Sequence, residues 1–211
     1  MTLQDVVASR DISEILHFTP HHGLLGTLHS GFVKSRKRLP SEMDLQHIYK
    51  PNAVFRKDKE WLDYVNLSVS SINVDFFRSS CRWHREEDLW WCVLSFDPEI
   101  LRHKGVVFTT TNNMYTSVRR ATGSAGLEAM FAERVERWGG NEVHRRKDAL
   151  SYQPTCSYAE VLYPQELSTE YLRKIYVQTV QDQDEVYAQL GLVGHAEVNV
   201  IVKPSIFESL T

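Results

Sequence analysis

The chain is poor in the features that would carry it across a membrane, stiffen it with disulfides or give it a metal. Its three cysteines, Cys81, Cys92 and Cys156, form no CxxC pair, and any bridge would leave one thiol over. A disulfide framework and a cysteine-based zinc site are therefore disfavoured, and a reducing compartment is expected. Among the nine histidines, His21 and His22 are adjacent rather than spaced as ligands, and no metal is expected. The longest apolar runs, such as Trp90-Trp91-Cys92-Val93-Leu94, are too short to span a bilayer. The opening Met1-Thr2-Leu3-Gln4-Asp5 lacks the basic and apolar regions of a signal peptide, so a cytoplasmic location is expected. Neither GxGxxG nor GxxxxGK[ST] occurs, which leaves Rossmann and P-loop nucleotide sites without support.

What is present is an ordinary globular composition, 42% hydrophobic and 11% aromatic over 211 residues. No repeat, low-complexity tract or Pro/Gly linker divides it, and a single domain over 1–211 is expected. A net charge of -3 does not advertise a nucleic-acid binder. The basic residues are nonetheless clustered, in Lys34-Ser35-Arg36-Lys37-Arg38, Arg102-His103-Lys104, Arg119-Arg120 and His144-Arg145-Arg146-Lys147. Any one cluster reads as a solvated face; several converging on one cleft would hold a phosphate backbone.

Apolar periodicity predicts a strand over 12–18, then a helix started by Thr19-Pro20, carrying Leu24, Leu25 and Leu28 on one face and ended by Gly31. A long polar loop follows to about 62. In 63–70, Val65, Leu67 and Val69 alternate with Tyr64, Asn66, Ser68 and Ser70, the pattern of a half-buried strand whose polar side could line a cleft. Strands are expected at 90–96, 106–110, 159–163 and 174–179, and a last one through Val198, Val200 and Val202. A helix is expected over 124–138, from Leu127, Met130, Phe131, Val135 and Trp138, and a short one near 168–173; 139–157 reads as a polar loop. Short strands mixed irregularly with a few helices make an α+β fold.

Several polar residues sit where chemistry is possible. Glu160 interrupts the apolar strand Ala159-Glu160-Val161-Leu162 directly after the polar loop; a hydrated carboxylate and one turned into a cleft are both open. His17 stands beside Phe18 at a strand end, Asn112-Asn113 follow a threonine tract, and Arg56 lies in the long loop. Taken in order, Ile15-Leu16-His17-Phe18-Thr19 with Leu24 and Gly31, then Arg56 with Asp63-Tyr64-Val65, form the first half of a pattern. Trp91-Cys92-Val93-Leu94, Phe108, Asn112-Asn113, Leu127-Glu128-Ala129-Met130-Phe131, Pro154-Thr155 and Ala159-Glu160-Val161-Leu162 form the second. This succession resembles the DarT family of DNA ADP-ribosyltransferases, the toxin half of a toxin–antitoxin pair.

The resemblance, which runs from about Ile12 to Val177, implies an ADP-ribosyltransferase-like fold: a central split, antiparallel or mixed sheet with peripheral helices. It implies NAD as co-substrate without a metal, single-stranded DNA as acceptor with guanine or thymine as the modified base, and a DarG-like macrodomain antitoxin as partner. A related transferase acting on RNA or protein, and a non-catalytic relative, are the alternatives. It makes Glu160 the catalytic carboxylate and Arg56 the essential arginine, with Arg38 as rival because loop lengths differ. His17, Thr19, Gly31, Ser68 and Asn113 would contact NAD; Arg145, Arg146, Tyr152 and Tyr158 would face the acceptor, arginine for phosphate and an aromatic ring for base stacking. Pro20 replaces a histidine common in the family, and Ser68 and Phe77 replace tyrosines near the nicotinamide pocket.

Overall fold

A computed structural model describes residues 1–39, 59–85 and 88–208. Along the chain lie α1 (Leu3–Ser9), β1 (Ile15–Pro20), α2 (His21–Ser30), β2 (Phe32–Lys34), β3 (Tyr64–Val69), α3 (Val74–Trp83), β4 (Trp91–Phe96) and β5 (Val107–Thr109). Then come β6 (Arg120–Ala121), α4 (Gly123–Ala129), β7 (Arg134–Glu136), β8 (Glu142–His144), β9 (Glu160–Pro164), β10 (Glu166–Ser168), β11 (Leu172–Val177), α5 (Val180–Val193) and β12 (Asn199–Val202).

Eight strands form one sheet in the order β12-β11-β4-β1-β3-β9-β5-β6. All neighbours are antiparallel except β11 and β12, whose parallel pairing needs a crossover, supplied by α5. The sheet is mixed and the fold α+β, as expected. Every residue of β4 is buried, because both faces of the sheet are covered. Cys92, Leu94 and Phe96 join one apolar cluster with Ile15, Leu67 and Val161, while Trp91 and Val93 join a second with Leu16, Phe77 and Phe207. Side chains that alternate along a strand thus feed two cores.

One junction in this sheet is incomplete. β1 pairs with β4 at six positions but with β3 only at Ile15↔Val69 and Leu16↔Ser68, after which the two strands part. The parting opens the sheet between its two halves.

Two helices end earlier or elsewhere than the pattern indicates. The helix expected over 124–138 stops at Ala129, and Arg134–Glu136 instead pairs with Glu142–His144, inside the stretch expected to be loop. Leu127, Met130, Phe131 and Val135 are buried as expected, but Val135 is buried between exposed Arg134 and Glu136, so its spacing satisfies a strand as well as a helix. Thr155 takes over the carbonyls that a longer helix would use, its N–H donating to Met130 (2.9 Å) and its hydroxyl to Ala132 (2.6 Å). Trp138 is not core: it stands 70% exposed at the hairpin tip. The short helix expected near 168–173 is a single 3-10 turn at Thr169–Tyr171, started by Ser168 and ended by entry into β11. Gly31 does end α2, at φ 74°, a left-handed conformation glycine adopts without penalty; Pro20 rather than Thr19 precedes the helix.

Gly126, on α4, allows close approach of the helix to β6. A Cβ there would lie 2.7 Å from the Ala121 carbonyl carbon and 3.0 Å from the Phe108 ring. Gly126→Ala is expected to destabilise the fold by about 1–3 kcal/mol through overpacking, read as a lowered denaturation midpoint.

Candidate active site

Glu160 opens β9, and the neighbouring β5 holds its main chain in place. It pairs with Thr109 of β5, whose buried hydroxyl accepts the Glu160 N–H (3.0 Å) and lies 2.8 Å from the Thr111 carbonyl as its donor. The carboxylate is half-buried and bonded at both oxygens. Oε1 accepts from the Asn66 side-chain amide (2.9 Å), and Oε2 accepts from the Asn113 main-chain N–H (2.7 Å). Charge-assisted bonds from two separate elements fix its direction. The hydrated reading of Glu160 does not survive this geometry.

Asn66 is bonded a second time. Where β1 and β3 part, Asn66 pairs with Leu162 of β9 but has no register partner on β1; the His17 imidazole reaches its carbonyl instead, Nδ1 lying 3.0 Å from the Asn66 oxygen. Nδ1 must carry the proton to donate there, so in the neutral ring Nε2 is the acceptor. Burial holds the His17 pKa below its ordinary value against the opposing pull of the Asn66 carbonyl, which favours that neutral ring. His17, Asn66, Glu160 and Asn113 therefore form one connected unit. Ser68 lies two residues beyond Asn66 on the same side of β3, opposite Leu16 in register. Asn66 was visible in the sequence only as one of several polar residues on an alternating strand.

The remaining expected residues take varied places. Asn113 is 2% exposed, and its own side chain is held by Arg120 (2.7 Å). Thr19 is buried on β1, its carbonyl accepting from the Cys92 thiol. Gly31 sits at the α2 terminus, where its carbonyl accepts from the Thr169 N–H. Arg56 lies outside the described residues. Its rival Arg38 donates through Nε to Asp63 (2.9 Å), and that bond holds the Asp63 carboxyl below its usual range.

On the acceptor side, Arg145 donates to the carbonyls of Gln153 (2.7 Å) and Leu150 (3.0 Å) and staples the loop between them. Arg146 pairs with Asp148 at 2.6 Å. Tyr158 donates its hydroxyl to Asp75 of α3 (2.7 Å) under the Arg137 guanidinium, 4.2 Å above its ring. Burial and the Asp75 carboxylate push the Tyr158 phenol up. Tyr152 and Arg146 line a cleft of about 570 Å³ that also takes in Ser70, Arg137, Ser157 and Ala159. Its lining includes Ala159, the residue before Glu160, and on its far side Lys203, Ser205 and Ile206. Among the described residues no group of three or more His, Cys, Asp or Glu side chains is arranged to hold a metal, and no helix is long and apolar enough to cross a membrane.

Comparison with known proteins gives a family. The model of the DarT family, described as ssDNA thymidine ADP-ribosyltransferase, matches residues 16–208. Among solved structures, the fold is shared with Thermus sp. 2.9 DarT in complex with NAD+ (TM-score 0.66, 16% identity, 94% of this chain and 98% of that one). The same enzyme in complex with ADP-ribosylated ssDNA superposes with a TM-score of 0.64 at 15% identity, over 94% and 97% of the two chains. Thermosipho africanus DarTG in complex with ADP-ribose gives 0.57 at 14% identity, with 92% of this chain matching 51% of that one. A search of curated proteins finds no match.

The His17 contact makes a pH prediction. A histidine whose folded pKa is depressed adds stability above its unfolded value of 6.5, and loses it as the pH falls through that value toward the folded one. Chemical denaturation at pH 7.5 and 5.5 should show a larger acid loss for the natural protein than for His17→Gln, which keeps a donor for Asn66 without titrating.

Proposed function

Since this chain belongs to the DarT family, we propose that it transfers ADP-ribose from NAD to a nucleobase of single-stranded DNA, with Glu160 as the catalytic carboxylate. The observation that carries the reading is the two-donor clamp on Glu160, at the strand next to the parting of the sheet. NAD supplies an activated bond between nicotinamide and ribose. Breaking it builds positive charge on the ribose, and a fixed carboxylate stabilises that charge without having to reorganise. Glu160 accepts a hydrogen bond from a ribose hydroxyl and faces the developing charge. It also withdraws a proton from the attacking base, whose amide or exocyclic nitrogen is a poor nucleophile while protonated. The polar residues at hand, Asn66, Ser68 and neutral His17, suit a ligand rich in hydroxyl and amide groups.

An unpaired base is the suitable acceptor, because a duplex hides the reactive edge. Thymine, named in the family description, is the first base to test and guanine the second. The Thermus relative's complexes with NAD+ and with ADP-ribosylated ssDNA support both substrates. The cleft with Tyr152 and Arg146, together with Tyr158 and exposed Trp138, forms the acceptor side; Arg145 shapes its loop. Action of the whole chain as one domain, cytoplasmic and toxic to its host unless a macrodomain antitoxin reverses the mark, completes the proposal. The DarTG structure supports the partner.

Mass spectrometry of single-stranded oligonucleotides incubated with enzyme and NAD tests this. The natural protein should add one ADP-ribose per modified base, and Glu160→Gln should lose about 10²–10³-fold in rate with an unchanged melting temperature. Label from NAD appearing on RNA or protein but not on DNA would overturn the acceptor, and no turnover at all would favour a non-catalytic relative. Arg56→Ala is expected to cost about 10²-fold or more, with Arg38→Ala milder; the reverse order would move the essential arginine to Arg38.

A further inference from the structure

Beyond the two donors on Glu160 lies a third layer that no sequence pattern singles out. Arg120 stands on the two-residue edge strand β6, and its guanidinium grips Asn113 twice. Nε donates to the Asn113 side-chain oxygen and the second nitrogen to the Asn113 carbonyl, both at 2.7 Å. These are short, charge-assisted bonds in the planar fork geometry that arginine provides and lysine does not. The Asn113 residue so gripped is the one whose N–H donates to Glu160 Oε2.

The other face of the guanidinium lies 5.1 Å from the Trp61 ring, within cation–π range. Trp61 packs against Tyr64 (5.0 Å between rings), and Tyr64 lies two residues from Asn66 on the same side of β3. A closed circuit results. It runs from Glu160 to Asn113, to Arg120, to Trp61 and Tyr64, along β3 to Asn66, and back to Glu160. The turn that supplies one donor is thereby tied to the strand that supplies the other.

We propose that Arg120 is a positioning residue for Glu160, acting through Asn113. This rests on the reading of Glu160 as the catalytic carboxylate. Without the guanidinium, Asn113 loses two bonds, and the aim of its N–H at Oε2 is less tightly fixed. A misplacement of about 1 Å at a reacting group costs on the order of 10²-fold in rate. Substrate binding is touched less, since the Asn113 N–H that Arg120 steadies is turned to the carboxylate.

The test compares Arg120→Ala, Arg120→Lys and the natural protein in NAD-dependent labelling of a single-stranded oligonucleotide. Arg120→Ala should lower kcat about 10–100-fold while KM for NAD stays within about threefold, and millimolar guanidinium should restore part of the rate. Arg120→Lys should recover little, because a point charge cannot bridge both Asn113 acceptors. An Arg120→Ala kcat within twofold of the natural protein, or a rate loss that simply tracks the unfolded fraction with no guanidinium rescue, overturns the proposal. A second readout stands apart from turnover: the NMR amide signal of Asn113 should move in Arg120→Ala toward its position in Glu160→Gln. If the natural protein proves inactive, the reading of function fails, and this signal still decides whether Arg120 aims the donor. Should Arg120→Ala fail to fold, Arg120→Gln, with one amide donor, is carried through the same two measurements.

Discussion

The parting of β1 from β3 is the constraint on which the site depends. An antiparallel sheet normally satisfies its main-chain carbonyls strand to strand, and a gap leaves polar groups that must find other partners. Here the open position falls at Asn66, and the His17 ring occupies it. That substitution costs a ladder bond and yields an anchored residue whose side chain is then directed at Glu160. The buried strand β4 and the two apolar clusters on either side of the sheet make the gap tolerable. The molecule can hold one seam open because β4, which pairs with β1 on its far side, is buried along its whole length.

The same economy of partners governs the cations. Arg38 is bound to Asp63, Arg145 to main-chain carbonyls, Arg146 to Asp148, and Arg120 to Asn113. Arg102 likewise bonds Glu99 and Gln4, so each of the four basic clusters in the sequence ties an arginine to a partner within the chain. A chain with a net charge of -3 is consistent with this: its arginines act largely as local fasteners. On the proposed acceptor side, exposed Trp138 offers an aromatic face of the kind on which an unpaired base stacks.

How far the sequence carried depended on whether a residue's surroundings were local. Strand β3 was readable because alternation is a two-residue pattern, and Gly31 because a helix end is a local event. Glu160 drew notice as a charge inside an apolar strand, and the order of segments around it pointed to the family. Asn66 and Arg120 were not distinguishable, since an amide on a polar strand face and the second of two arginines look the same whether solvated or bonded. Residues 130–135 misled because their apolar spacing fits two periods, and only the capture of their carbonyls by distant Thr155 decides between them. Helix α5 buries only Asp182, Val186 and Leu190, too narrow a stripe to stand out in a polar stretch.

The two bonds to the Glu160 carboxylate reach 94 residues back to Asn66 and 47 back to Asn113. Contacts so distant along the chain form late, after the loss of chain freedom needed to bring them together has been overcome. During synthesis β1, β3, β4 and β5 all leave the ribosome before β9 exists. A growing polypeptide therefore carries a scaffold with its central position vacant, and the carboxylate acquires its donors only once β9 slots between β3 and β5. A chain that stops before β9 lacks both the Glu160 carboxylate and the strand that carries it to its two donors.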